Sequence, residues 1–174
     1  IIGETVGDVV GGHFGEKAGG RMTAGHPVDV ATGELYTRAC EFELGGPLPL
    51  VWARLWMSSS SHNGELGSRW HHPLDFALAR LPDGGGWVAR IEEGRLALFL
   101  DPAPDRPALN TVEGLLLKTD GHGHYWITSF AGRDYLFGRE GENPAAPFER
   151  PLAEIRDANG NRIVCQRNKA GHLS

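Results

Sequence analysis

His122 and His124 stand one residue apart, the spacing at which two imidazoles on one face of a strand can hold a divalent metal. Gly121 and Gly123 interleave them, which favours a turn, and no Cys, Asp or Glu closes an obvious third ligand. Ser58 to Ser61 run directly before His62, yet adjacency in a loop does not aim a hydroxyl at an imidazole. His71 and His72 follow Trp70 and read as packing or capping groups. A glycosidase-like carboxylate pair could be drawn from Asp75, Glu92, Glu93 and Asp101, but the chain has 22 acidic residues and spacing selects none of them. Tryptophans that stack on sugars would make a carbohydrate-binding β-module. Trp52, Trp56 and Trp70, however, lie within apolar alternation, where burial is the default. These residues assign no catalytic group, no metal ligand and no cofactor.

The elements that carry these residues are β-strands. Across residues 25 to 79 apolar and polar residues alternate between closely spaced turn signals, the period of a half-buried strand. Val28 and Leu35 flank Ala31-Thr32-Gly33-Glu34, a hairpin turn. Phe42 and Leu44 alternate before Gly45-Gly46-Pro47, and Leu48, Leu50 and Trp52 continue the period to Trp56, with Pro47 and Pro49 placing the start of that strand at an edge or bend. Asn63-Gly64 reads as a turn. Further strands are predicted over 73–80, 87–91, 95–100, 115–119, 124–130 and 133–138. Asp101 to Asn110, with Pro102, Pro104 and Pro107, is predicted to be a surface loop, and Gly141 to Pro151 a break.

With 22 acidic against 17 basic residues, net −5, the chain offers no electrostatic case for a nucleic-acid partner. Its 174 residues suffice to bury a core. Cys40 and Cys165 form no metal-type cluster and read as small packed hydrophobes, not as a disulfide. No basic segment followed by an apolar run marks a signal peptide, and Ile1 is expected to be an internal residue or a cleavage product.

Residues 1–20 place glycine at Gly3, Gly7, Gly11, Gly15 and Gly19. In a helix these would line one face, at about 1 kcal/mol each relative to alanine, so a close helix contact would have to offset them. Glu4, Asp8, Glu16 and Lys17 are too many charges for a bilayer core. Two readings stay open: the end of a glycine-zipper hairpin that contacts a membrane or a chaperone, or a flexible linker. On the first, Glu16-Lys17-Ala18 before Gly19-Gly20 would be a helix stop.

Gly25-His26-Pro27-Val28-Asp29, Thr32-Gly33-Glu34, Phe42-x-Leu44, Gly46-Pro47-Leu48-Pro49-Leu50, Trp52-x-Arg54-x-Trp56-x-Ser58 and Gly64-x-Leu66-Gly67-x-x-Trp70-x-x-Pro73-Leu74-Asp75 form an ordered series. The series resembles the start of the Rhs/YD-repeat shell of bacterial polymorphic toxins, closely over 25–79 and loosely beyond. Two residues depart from that pattern: Trp56 stands where the family more often has tyrosine, and Arg69 where glycine precedes the tryptophan. Ile155-x-Asp157-x-Asn159-Gly160-Asn161-x-Ile163 with Gly171-x-Leu173 is similar to the opening unit of a YD repeat, with Cys165 in place of an aromatic. A single such unit cannot bury its own face, so more repeats are expected after Ser174.

The resemblance implies a mainly β fold of antiparallel hairpins beginning a YD-repeat shell, after a short glycine-zipper helix or linker. It divides the chain into residues 1–24, a shell-start or plug domain over 25–150, and a first repeat over 151–174. Pro27, Val28, Phe42, Leu44, Pro47, Leu50, Trp52, Arg54, Trp56, Gly67, Trp70, Pro73 and Asp75 would be its structural motif. The implied role is steric: closing a cocoon around a C-terminal toxin and linking it to a type VI secretion apparatus. The implied partners are the rest of the shell, the toxin, a spike protein and a chaperone for the N-terminal helix. Localisation would be the bacterial cytoplasm before delivery into a target cell. Self-cleavage and toxin activity would lie outside this segment. A stand-alone carbohydrate-binding β-module is the alternative, and a carboxylate hydrolase a more distant one.

Overall fold

The computed structural model describes residues 17–18, 21–22, 28–29, 32–144 and 146–174. By contacts the chain divides into two units, one made of residues 1–42 and 52–72 and the other of 43–51 and 73–174. The fold is mainly antiparallel β, and the only helical element among the described residues is a 3-10 turn at Glu92–Gly94. These divisions fall elsewhere than the sequence divisions at 24/25 and 150/151, and the latter lies inside a strand.

In the first unit β1 (Lys17–Ala18) pairs with β2 (Arg21–Met22), Lys17 opposite Met22. The expected helix stop at Lys17-Ala18 is therefore a strand. The five-glycine zipper otherwise falls outside the described residues. β3 (Tyr36–Leu44), β4 (Leu50–Met57) and β7 (Trp70–His71) form a three-stranded sheet in the order β3-β4-β7. The predicted turn before β3 is present: Val28 bridges Leu35, the Gly33 N–H donates to the Asp29 carbonyl, and Gly33 takes φ +71°.

Between β4 and β7, β5 (Asn63–Gly64) pairs with β6 (Gly67–Ser68). Asn63-Gly64 is thus strand, and the turn is Glu65-Leu66. Gly64 serves close approach instead, since a Cβ on it would collide with the His62 ring.

Residues 73–174 of the second unit carry one nine-stranded sheet. Its strands are β8 (Ala77–Arg80), β9 (Trp87–Arg90), β10 (Leu96–Phe99), β11 (Ala108–Asn110), β12 (Leu115–Thr119), β13 (Tyr125–Ser129), β14 (Asp134–Phe137), β15 (Glu149–Arg156) and β16 (Arg162–Val164). The order is β10-β9-β8-β15-β14-β13-β12-β11, with β16 also on β15. β15 changes partner along its length. Its first three residues pair with β8 and the rest with β14, across a bulge that sets Leu136 opposite Glu154 and Phe137 opposite Leu152. Pro151 sits at that change of partner, where a strand tolerates the loss of an N–H. The expected break thus ends three residues early, and the expected loop over 101–110 ends in β11, beyond its last proline.

Alternation builds the core. Ala108, Leu117, Ile127, Tyr135, Ile155 and Ile163 are successive register partners across β11 to β16 and form one inward row. Thr119, Tyr125, Phe137 and Leu152 form another. The sheet curls until its two halves touch: Phe76 stacks on Tyr135 at 4.6 Å, and Trp87 of β9 meets Tyr125 of β13 at 4.4 Å. The edge strands nearly meet, since the Asn110 side-chain amide donates to the Leu98 carbonyl at 3.0 Å. Leu78, Leu117, Ile127 and Leu152 are the largest fully enclosed side chains.

One five-residue turn recurs. At 91–95, 129–133, 157–161 and 168–172 the first N–H donates to the fifth carbonyl, and the fourth residue, a glycine, donates back to the first carbonyl. Polar first residues add a side-chain acceptor: Ser129 Oγ takes the Arg133 N–H, Asp157 Oδ1 the Asn159 and Asn161 N–H groups, and Asn168 Oδ1 those of Ala170 and His172. The glycine is required because its φ is left-handed, +84° at Gly160.

Candidate functional site

In the first unit, the motif residues gather along β3, β4 and β7. Trp52 lies between Phe42 (5.9 Å) and His72 (5.0 Å), an aromatic column with nearly parallel rings. The Arg54 guanidinium sits 5.2 Å over the Trp70 ring, and its Nε donates to Glu41 at 2.8 Å. Trp52, Trp56 and Trp70 are half-buried rather than enclosed. A three-stranded ribbon covers an aromatic on one side only, whereas the enclosed tryptophan, Trp87, is inside the curled sheet of the second unit.

His71 and His72 are both buried, as packing groups would be. The serine run meets a histidine that adjacency did not suggest. Ser60 Oγ is 2.9 Å from His71 Nε2 and also accepts the His62 N–H at 3.1 Å, while the His62 and His71 rings stack at 4.9 Å. Ser58 and Leu35 exchange bonds, and Ser59 donates to Glu34. The serines tie the loop to β3 and β7. Eleven residues separate Ser60 from His71, and only the pairing of Leu55 with His71, which returns β7 alongside β4, brings them together.

Arg69 has φ +68°, in the region that favours glycine. The resemblance had placed glycine there, and the backbone supplies the reason. The Arg69 N–H and carbonyl are both committed, to the His62 carbonyl and the Met57 N–H, so the conformation is held. Arg69→Gly is expected to raise unfolding free energy by about 1 kcal/mol, read from the urea midpoint at unchanged slope.

Of the remaining motif residues, Phe42, Leu44 and Pro47 are exposed and Val28, Leu50, Gly67 and Pro73 half-buried, while Pro27 lies outside the described residues. Cys40 is exposed on β3 as a free thiol, and Cys165 is half-buried. The expectation of packed cysteines fails for Cys40 because β3 faces solvent along most of its length.

In the second unit the acidic candidates are engaged in separate places. Asp101 Oδ1 accepts from Arg80 (2.6 Å) and from Trp87 Nε1 (3.0 Å), and Arg80 lies 4.9 Å over the Trp87 ring. Asp75 lies 3.6 Å from Arg90, whose guanidinium is held in both directions by Glu149 at 3.0 and 2.8 Å. Glu92 and Glu93 sit on the 3-10 turn. Arg150 donates to the carbonyls of Gly123 and Gly138 and covers the Tyr125 ring at 4.8 Å. The Arg90–Glu149 pair spans 59 positions, and no spacing signal in the sequence announces it.

His122 and His124 are exposed on a turn, and among the described residues neither belongs to a group of three potential metal ligands. His124 Nδ1 instead lies 2.5 Å from Asp120 Oδ2, while Asp120 Oδ1 accepts the His122 and His124 N–H groups. The His124 contact, then the backbone N–H groups, bring the Asp120 pKa down from its ordinary 3.8 to about 2. Asp157 is lowered in the same direction, chiefly by the Asn161 amide. A carboxyl lowered on folding stabilises the turn above the ordinary value and loses that contribution as pH falls through the folded one. The 120–124 turn is therefore expected to hold at pH 4 and to loosen on acidification towards about 2. Amide chemical shifts of His122 and His124 report it, and movement complete above pH 4 would contradict the assignment.

Residues 25–99 match the family described as a domain of unknown function, DUF6531. Over 177 aligned positions, 100% of the chain is 28% identical to 12% of "Double-stranded DNA deaminase toxin A" of Burkholderia cenocepacia. A 45-residue stretch, 26% of the chain, is 47% identical to 3% of "Probable deoxyribonuclease RhsB" of Dickeya dadantii. The chain thus spans about an eighth or less of the length of the curated relatives it matches, and what it resembles is a part of an Rhs-type toxin.

Proposed function

We propose that this chain is a structural segment of an Rhs-type toxin, contributing hairpins to a β-shell that encloses a toxic domain carried elsewhere in the polypeptide. The observation that carries the reading is the second unit's sheet: nine antiparallel strands, most of them joined by short turns, curled almost to closure, whose acidic side chains are spread among separate arginine pairs and turns. That arrangement suits enclosure better than turnover. The full-length similarity to a toxin about eight times longer supports it. In this reading the residues before β3 link the shell to a type VI spike protein, with a chaperone on the glycine-rich stretch. The polypeptide is assembled in the bacterial cytoplasm and delivered into a target cell.

The test is limited proteolysis of the full-length polypeptide. Its toxic domain is expected to resist protease when this segment is intact and to be cut faster when the segment is destabilised by Leu117→Ala. Equal digestion of the toxic domain in both would refute the proposal.

A further inference from the structure

The chain contains two Asn-Gly dipeptides, Asn63-Gly64 and Asn159-Gly160. In such a pair no side chain shields the glycine nitrogen, which can attack the asparagine Cγ. A bond forms between Gly N and Asn Cγ, the Cγ–Nδ2 bond breaks, and ammonia leaves with the proton from the glycine nitrogen. Water then opens the succinimide to aspartate or to isoaspartate. Folding decides whether the backbone can reach that geometry.

The two sites are held differently. Asn63 and Gly64 are paired in β5 with Ser68 and Gly67, and the His62 ring covers Gly64 on the side where a Cβ would stand. Asn159 is exposed, as Asn63 is, but Gly160 is exposed where Gly64 is half-buried, and the pair takes the third and fourth places of the recurring turn. The Gly160 N–H reaches the Asp157 carbonyl at 3.2 Å, longer than the equivalent bonds of Gly94 (3.0 Å), Gly132 (2.9 Å) and Gly171 (2.9 Å). The nitrogen that must attack is thus the least firmly held of the four.

We infer that Asn159 is a site of spontaneous deamidation, and that the modification releases β16 from the sheet. The product carries a carboxylate within a turn that Asp157 already closes with its own carboxylate, bound to the Asn159 and Asn161 N–H groups and to the Asn161 amide at 2.8 Å. Two negative charges then share five residues. The isoaspartate form also lengthens the main chain by a methylene between Asp157 and Asn161, whose mutual bonds set Arg162 opposite Arg156. β16 is held to β15 by three register pairs and by the Cys165 N–H bond to the Ala153 carbonyl that follows them, and a defect in the turn misaligns this short ladder from its closed end.

The inference does not depend on the shell reading, and it is tested on the intact chain in mildly alkaline buffer by peptide mass mapping. The Asn159 peptide is expected to gain the deamidation mass roughly tenfold faster than the Asn63 peptide, and the two to react alike in denaturant, where local protection is gone. Asn159→Ser, which keeps a turn-favouring side chain, should stay unmodified and retain slow amide exchange at Ile163, whereas the aged parent should lose it. Equal rates at the two sites in the folded chain, or unchanged Ile163 exchange after complete modification at Asn159, would overturn the inference.

Discussion

Replacing Arg90 by methionine is expected to cost about 3 kcal/mol of unfolding free energy, because it leaves carboxylates in the wall of the sheet without their cation. Arg90 is 15% exposed and Glu149 30%, and four contacts converge on the one guanidinium: two from Glu149, one from the Asp75 carbonyl at 3.0 Å and a longer one from the Asp75 carboxylate. The geometry depends on what lies between. Ala77 and Ala79 of β8 face the same side as Arg90 and Glu149, in register with Arg90 and Glu149 respectively, and their small side chains let the arginine cross the strand. The double variant Arg90→Met with Glu149→Leu should recover most of the loss, since it removes the stranded charge as well as the pair. Urea denaturation of the four proteins in the cycle decides it, and a single-variant loss below about 1 kcal/mol would show that the pair is not what joins β9 to β15.

Leu117→Ala is expected to be about as damaging, at about 3 kcal/mol. The side chain has no exposed surface, and its neighbours in the inward row, Ile127 and Ala108, are themselves buried and fixed by the register. Ala108 is already small, so the wall on that side cannot move in to fill the space, and the lost burial adds to the cavity left behind. Leu109, on the opposite face of β11 and 51% exposed, is the matched control, with an expected change below about 0.5 kcal/mol. Similar losses at the two positions would mean that inward and outward faces are misassigned.

Much of this was legible in the chain itself, because period-two alternation and glycine-bearing turns are local signals. The strands predicted at 87–91, 115–119 and 133–138 are found at 87–90, 115–119 and 134–137. Asn63-Gly64 misled because glycine can serve a turn or a close contact equally well, and only the position of the His62 ring distinguishes them. β15 was obscured by Pro151, which normally interrupts a strand and here marks its change of partner. The half-burial of Trp52 and Trp70 was hidden for another reason: alternation reports which side of a strand is apolar, not whether a second layer covers that side. Ser60 with His71 and Arg90 with Glu149 are products of strand order, which no stretch of sequence states.

The recurring turn carries a consequence for how the chain acquires its fold. A turn that binds its own backbone and first side chain needs no distant partner, so the hairpins β9–β10, β13–β14 and β15–β16 can form within microseconds of one another, each from neighbouring residues. Joining β8 to β15 is different, since it must close a loop from Ala79 to Glu149 before Arg90 finds its acceptors. Folding therefore runs on two clocks, a fast local one set by the turns and a slow one set by that single long closure. Between them lies a chain of finished hairpins whose apolar rows are still uncovered, the period in which a growing polypeptide most needs either speed or a companion.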